Sequence, residues 1–293
     1  MFESSRRSFL QLASLAAAST AVPSAWAGTT PAPIGVQLYT VHKEVTDDLP
    51  GTLAAIRKIG YTMVESFAPM HTRPAKELRK MVEDAGLTIP SGHFSYDGLE
   101  AQIDYAHELG VSYMVCSMLP RTMWTHDGFV QAAAEFNKVG ALANQAKMRL
   151  CFHNHSYEFM PLPAAVGGTP DPNDCGVKIL LGQTDTAMLG WEEDCYWVAQ
   201  GGQDPLAFLQ KNSARINLLH LKDRKAGATP TTSIQMKGQQ FFTEIGNGTI
   251  DWAPILKIAR STGKLMFVEQ DTTEGPALDS LAVSYKNLQK YLG

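Results

Sequence analysis

The sequence is short of several things that would assign it early. Its four cysteines, Cys116, Cys151, Cys175 and Cys195, form no C-x-x-C pair and lie far apart, which leaves zinc-ribbon and thioredoxin chemistry unsupported. Cys116 and Cys151 fall inside apolar runs and read as packed core, while a Cys175 to Cys195 disulfide is possible in an oxidising compartment. No G-x-G-x-x-G follows the first expected strand, so a doubly wound open sheet has no fingerprint here, and no Gly-rich loop offers a phosphate cradle. Clustered Lys and Arg are also missing. With 25 Lys+Arg against 29 Asp+Glu the net charge is -4, and neither a nucleic acid nor an anionic membrane has an electrostatic reason to bind. No low-complexity linker divides residues 28–293, which therefore read as one domain with 44% hydrophobic residues in the chain to fill its core.

What is present begins with an export pattern. Ser5-Arg6-Arg7-Ser8-Phe9-Leu10 places two arginines before a mild apolar stretch, Leu10 to Ala21, too short to span a bilayer and followed by the small-residue site Ala25-Trp26-Ala27. Residues 1–27 are expected to be a twin-arginine signal peptide and residues 28–293 a periplasmic protein without stable membrane insertion once the signal is removed. That pathway carries folded proteins, often with a metal already loaded, which fits a metalloenzyme without proving one.

The interior has a rhythm. Amphipathic stretches end in Gly and run straight into short apolar segments at Gly60, Gly86, Gly110 and Gly263. Gly suits the left-handed residue past a helix end, and an unbroken apolar run suits a strand buried on both faces. Strands are expected near residues 34–39, 62–67, 87–94, 112–117, 148–153, 188–193, 216–221 and 264–269, with helices over 53–58, 75–84, 99–109, 128–146, 205–211, 253–261 and 278–292. Eight βα units predict an α/β fold, a (β/α)8 TIM barrel. One helix is missing from this count, and Pro161 to Asp174, rich in Pro, Gly and Asp, is expected to be an irregular connection.

Catalytic groups of such a barrel sit at the carboxyl ends of its strands. Polar residues crowd there: Glu65 on the second strand, His93 on the third, His153-Asn154-His155 with Glu158 on the fifth, Asp194 on the sixth, His220 with Lys222 and Asp223 on the seventh, Glu269 with Asp271 on the eighth. One Asp, one His and two Glu converging at one rim would suit Mn2+, Mg2+, Co2+ or Fe2+, with Zn2+ also possible. With a carbonyl polarised by the ion, two carboxylates could remove and return the neighbouring proton. The structural alternative is a set of rim salt bridges with Lys222 and Arg215.

At these residues the sequence resembles the sugar phosphate isomerase/epimerase family of xylose isomerase-like TIM barrels. The resemblance is carried by Phe152-His153-Asn154-His155-Ser156-Tyr157-Glu158-Phe159, Asp194-Cys195-Tyr196-Trp197-Val198, Leu219-His220-Leu221-Lys222-Asp223, Glu244-Ile245-Gly246-Asn247-Gly248-Thr249-Ile250-Asp251-Trp252 and Val268-Glu269-Gln270-Asp271. It implies a divalent metal held by Asp194, His220 and Glu269. The fifth-strand ligand is His153, His155 or Glu158, with Glu158 preferred for its carboxylate. It further implies catalytic roles for Glu158, Glu269 and Lys222, the last at a developing enolate. Substrate contacts are expected from Glu65, His93, His153 and His155, with Trp197 stacking on a sugar face. The expected substrate is a small, neutral sugar or polyol, and the expected reaction is isomerisation or epimerisation. Dehydration, or elimination from an inosose or 3-keto-glycoside, begins the same way. An exported carbohydrate-binding protein without catalysis is the rival from another class. An endonuclease IV-like activity is disfavoured by the charge balance. Oligomeric state is not legible.

Overall fold

The computed structural model describes residues 33–163, 168–234 and 241–292; the expected signal peptide lies outside them. Eight parallel strands close into a barrel in sequence order: β1 (Gly35–Gln37), β2 (Met63–Ser66), β3 (Thr88–Phe94), β4 (Tyr113–Cys116), β5 (Arg149–His153), β6 (Gly190–Asp194), β7 (Ile216–Leu221) and β8 (Leu265–Val268). Closure is made by β1, where Gly35 opposes Met63 of β2 on one side and Phe267 of β8 on the other. Every expected strand is there. The junction glycines Gly60, Gly86, Gly110 and Gly263 all take positive φ, as residues just past a helix end require.

Alternation along the strands sorts the side chains. Met63, Val115, Cys151, Leu218 and Phe267 form a separate apolar cluster inside the barrel, while neighbours such as Val64, Leu219 and Val268 join the large cluster under the helices. Side chains two residues apart share a face, so the residues above that interior floor are Glu65, Ser117, His153, His220 and Glu269. The apolar layer is thus capped by a polar one at the strands' carboxyl ends.

Two features depart from the sequence reading. The β5–β6 connection is ordered where it is described: Pro161–Pro163 pairs antiparallel with Pro170–Cys175, and the uncounted helix follows at Gly176–Gln183. Gly176, Val177, Ile179 and Leu180 are buried while Lys178, Gly182 and Gln183 are exposed, a stripe of only two turns. Two short helices are also unexpected: His42–Asp47 after β1, and Cys195–Gln200, which starts directly at the end of β6. All four cysteines are free thiols, with Cys116 and Cys151 in the core as expected and no Cys175–Cys195 disulfide. Among the described residues no helix is long and apolar enough to cross a membrane.

Candidate active site

The centre of the polar layer is His220, fully buried on β7. Its Nδ1 lies 2.9 Å from Glu269 Oε2 just past β8, and its Nε2 lies 2.7 Å from Glu65 Oε2 on β2 and 3.4 Å from Glu192 Oε1 on β6. Two groups of four donors share it: His153, Asp194, His220 and Glu269 form one, and Glu65, His93, Glu192 and His220 the other, the donor atoms of each lying within 4.8 Å of one another.

The second group is nearly satisfied by internal hydrogen bonds. Glu65 accepts from Gln37 Nε2 at 2.8 Å and from Ser91 Oγ, and His93 Nε2 meets Glu192 Oε2 at 2.7 Å. The first group is not. Asp194 spends Oδ1 on the Trp197 N–H at 2.8 Å, capping the helix Cys195–Gln200, while Asn154 fixes its backbone by accepting from Asp194 N at 3.2 Å and from Trp191 Nε1 at 2.9 Å. Its Oδ2 lies 2.9 Å from Lys222 Nζ and 3.5 Å from His153 Nε2, yet neither Oδ2 nor His153 Nε2 completes a well-directed hydrogen bond. A buried carboxylate oxygen held by an ion pair alone, facing an imidazole nitrogen without a hydrogen bond, suits the coordination of a cation.

Charge supports the same fit. Asp194, Glu269 and Asp271 surround a single lysine while Glu65 and Glu192 face imidazoles, and protons on those imidazoles make up the difference. Burial would lower His220, but Glu192 and Glu269 hold it well above the ordinary imidazole range. Burial likewise opposes a proton on His93, yet the charges of Glu65 and Glu192 raise it to about 9. Burial would raise Glu269, and Lys222 with His220 pull it well below the carboxylate range instead. His153 and His155 are pushed well down by burial and by neighbouring imidazoles, so both stay neutral and able to donate a lone pair. A mixed carboxylate and imidazole set with excess negative charge suits Mn2+, Mg2+, Co2+ or Zn2+.

Above this layer opens a cavity of about 290 Å3 lined by His93, His153, His155, Lys222, Glu269 and Asp271 on its polar side and by Tyr39, Phe67, Pro69 and Met118 elsewhere. Lys222 Nζ reaches Glu269 Oε2 at 2.6 Å and Asp271 Oδ1 at 2.7 Å, and burial notwithstanding, Asp194, Asp271 and Glu269 keep its ammonium well above its usual range.

Of the sequence-expected residues, the barrel brings Asp194, His220, Glu269, His153 and Lys222 together, with His93 and His155 on the cavity wall. Glu158 is not in either group. It sits in a 3-10 turn after β5, its Oε2 accepting from the His155 N–H at 2.9 Å, and burial lifts its carboxyl to about 8. The fifth-strand side chain that reaches the group is His153. Glu65 lies beneath the cavity, bonding imidazoles where a hydroxyl contact was expected. Trp197 is buried against Phe242, with Lys222 Nζ 5.5 Å from its ring, and does not reach the cavity wall. Glu192 escaped the sequence reading, although its two-residue spacing from Asp194 on β6 puts both on the inner face.

Fold and site together define a TIM-barrel enzyme with a cation-competent, acid-rich mouth. The chain belongs to the xylose isomerase-like TIM barrel family, whose model matches residues 53–287. It is 23% identical over 246 residues to the inosose dehydratase of Clostridium beijerinckii, covering 73% of this chain and 79% of that one. A crystal structure of a sugar phosphate isomerase/epimerase from Parabacteroides distasonis is 27% identical, superposes with a TM-score of 0.76, and covers 91% of this chain and 97% of its own. An L-ribulose 3-epimerase structure at 16% identity and TM-score 0.63, covering 89% of this chain and 94% of that one, shares the fold.

Proposed function

We propose that the protein moves a proton on the carbon beside a carbonyl of a small sugar or cyclic polyol ketone, as an isomerase, epimerase or dehydratase dependent on a divalent cation. The observation that carries this is the buried set His153, Asp194, His220 and Glu269 beneath the cavity, with His153 Nε2 making no hydrogen bond and Asp194 Oδ2 held by the Lys222 ion pair alone. When bound there, a divalent cation supplies the Lewis acidity that polarises a carbonyl and lowers the pKa of the adjacent C–H.

The chain's own groups do the rest. Lys222 keeps its charge at the cavity wall, where an ammonium stabilises oxygen as it becomes negative. Glu269 is held ionised, the state a base needs. Beside it Asp271, raised to about 6 by burial against the opposing pull of Lys222, is matched to proton transfer near neutral pH. His93 lines the same cavity with its proton held by Glu192, 2.7 Å away. Return of a proton to the opposite face of the carbon gives an epimer, and its transfer to a departing hydroxyl gives dehydration with release of water. The dehydratase outcome is the second reading, favoured by the sequence likeness to inosose dehydratases along 73% of this chain.

The test is elemental analysis of the purified protein, followed by solvent-deuterium exchange over a panel of keto-sugars and an inosose with the stripped and reloaded enzyme. Metal-dependent deuterium at the carbon beside the carbonyl is expected, and Glu269→Gln should abolish it. An enzyme that retains no ion and exchanges no deuterium leaves the carbohydrate-binding alternative standing instead. We also infer export by residues 1–27, on the strength of Arg6-Arg7 and Ala25-Trp26-Ala27; recovery of the chain in the cytoplasm with Met1 or Phe2 as its N-terminus would refute this.

A further inference from the structure

Gln37 has no part in the chemistry proposed above, yet its side chain is bonded at both ends close to the site. It ends β1, is wholly buried, and lies directly across from Glu65 of β2, which in turn lies across from Ser91 of β3. Residues paired in register on neighbouring strands share a face, so the three stand side by side inside the barrel. Their side chains use that adjacency. Gln37 Nε2 donates to Glu65 Oε2 at 2.8 Å from one flank, and Ser91 Oγ donates to Oε1 from the other.

What the braced carboxylate does is set by His220. The same Oε2 lies 2.7 Å from His220 Nε2, while Nδ1 of that ring faces the opposite way, 2.9 Å from Glu269 Oε2 and 3.9 Å from Asp194 Oδ2. An imidazole that gives Nδ1 to a cation keeps its proton on Nε2, and a carboxylate that accepts this proton fixes the tautomer and the plane of the ring. Glu65 is placed to be that carboxylate, and it can turn away only by breaking with Gln37 and Ser91. The other end of the amide is equally committed. Gln37 Oε1 accepts the Tyr39 N–H at 3.1 Å and so caps the turn Leu38–Val41, which sets Tyr39 on the cavity wall. A carboxylate donates nothing and a backbone N–H accepts nothing, so the amide fits in one orientation only. Capping that turn needs only an acceptor two residues ahead of the N–H, whereas reaching Glu65 needs the full length of glutamine.

We propose that Gln37 is a positioning residue for the cation centre: by holding Glu65 Oε2 against His220 Nε2, it keeps Nδ1 aimed at the site shared with His153, Asp194 and Glu269. The inference rests on the proposed cation and deepens that reading. The test separates the two ends of the amide. Gln37→Asn still offers an oxygen to the Tyr39 N–H, as asparagine does in a turn, but falls one methylene short of Glu65. Gln37→Met keeps the volume and loses both bonds. Calorimetry on full-length, EDTA-stripped enzyme reads Mn2+ affinity, hydrogen exchange reads the Tyr39 amide, and the visible spectrum of the Co2+-loaded protein reads the geometry around the cation. Gln37→Asn should bind Mn2+ about fivefold or more below the wild type, with a shifted Co2+ spectrum and Tyr39 exchange within about twofold of the wild type. Gln37→Met should lose the same affinity and exchange the Tyr39 amide about tenfold faster or more. Wild-type affinity and spectrum in Gln37→Asn overturn the proposal and leave Gln37 a turn cap; should that variant not fold, wild-type affinity in Gln37→Met does the same. A loss of affinity confined to Gln37→Met also overturns it, because the turn then carries the effect. Wild-type enzyme that binds neither Mn2+ nor Co2+ removes the cation reading itself.

Discussion

Cation binding should be paid for in protons, and the structure sets how many. In the metal-free site His220 carries a proton because burial is outweighed by Glu192 and Glu269, and His93 carries one because Glu65 and Glu192 hold it near a pKa of about 9. Ligation requires a free imidazole lone pair, so His220 must release its proton. A new double charge beside Asp194 and Glu269 also weakens the demand for positive charge on His93. Stripped enzyme at neutral pH should therefore release about one to two protons per cation, and affinity should rise about tenfold per pH unit for each. At a cation concentration a hundredfold above Kd the fold gains about 2.7 kcal/mol, roughly 5–10 °C in melting temperature for a barrel of this size. Calorimetric titration of EDTA-treated enzyme with Mn2+ in buffers of different ionisation enthalpy counts the protons, and thermal scans read the stabilisation. Asp194→Asn, which neutralises the oxygen facing His153, should cost at least tenfold in affinity. A buffer-independent heat, an affinity flat with pH, or an undiminished response in Asp194→Asn would refute the reasoning.

Four further outcomes follow from the same contacts. In the metal-free protein His93 is raised from 6.5 to about 9, so its contribution, about 3 kcal/mol, is present in full below pH 6.5 and lost as pH rises through 9; the melting temperature without metal should fall over that window and fall less with Mn2+ bound. Glu158, lifted by burial from 4.5 to about 8, binds its proton more tightly folded than unfolded, so wild-type stability falls with rising pH across that window. Glu158→Gln should then gain on the wild type by up to about 1.4 kcal/mol per pH unit there, measured by urea unfolding, and should keep its metal; loss of bound metal would restore Glu158 as a ligand. Glu192→Gln removes the charge behind His93 and should lower turnover about 10–100-fold with metal content retained, read by exchange rate and elemental analysis. Asp223→Ala strips acceptors from Gly246 N and Trp252 Nε1, each at 2.8 Å, and from Gly248 N at 3.2 Å, and should cost about 3–5 kcal/mol in urea unfolding.

What the sequence could and could not disclose follows from which physical signal each feature leaves. Barrel strands buried on both faces leave unbroken apolar runs, and helices that end on positive-φ glycines leave regular punctuation, so all eight strands are legible without coordinates. The helix Gly176–Gln183 lacks that punctuation, because it is only eight residues long, begins at a glycine packed on Phe129 and ends at Thr184 in an extended conformation. At the site, residue types at strand ends are visible but depth is not. Glu65 and Glu192 both precede the last residue of their strands, and both are fully buried and bonded to imidazoles. His153 ends β5 on the inner face above Cys151, whereas Glu158 lies five residues on, around a turn whose path no spacing rule specifies. Inside a barrel, position decides, because a side chain reaches the axis only from an inward-facing strand residue or from a loop that folds back over the mouth. The loop after β5 instead turns Glu158 back onto the His155 N–H, and the lone pair left facing Asp194 belongs to His153.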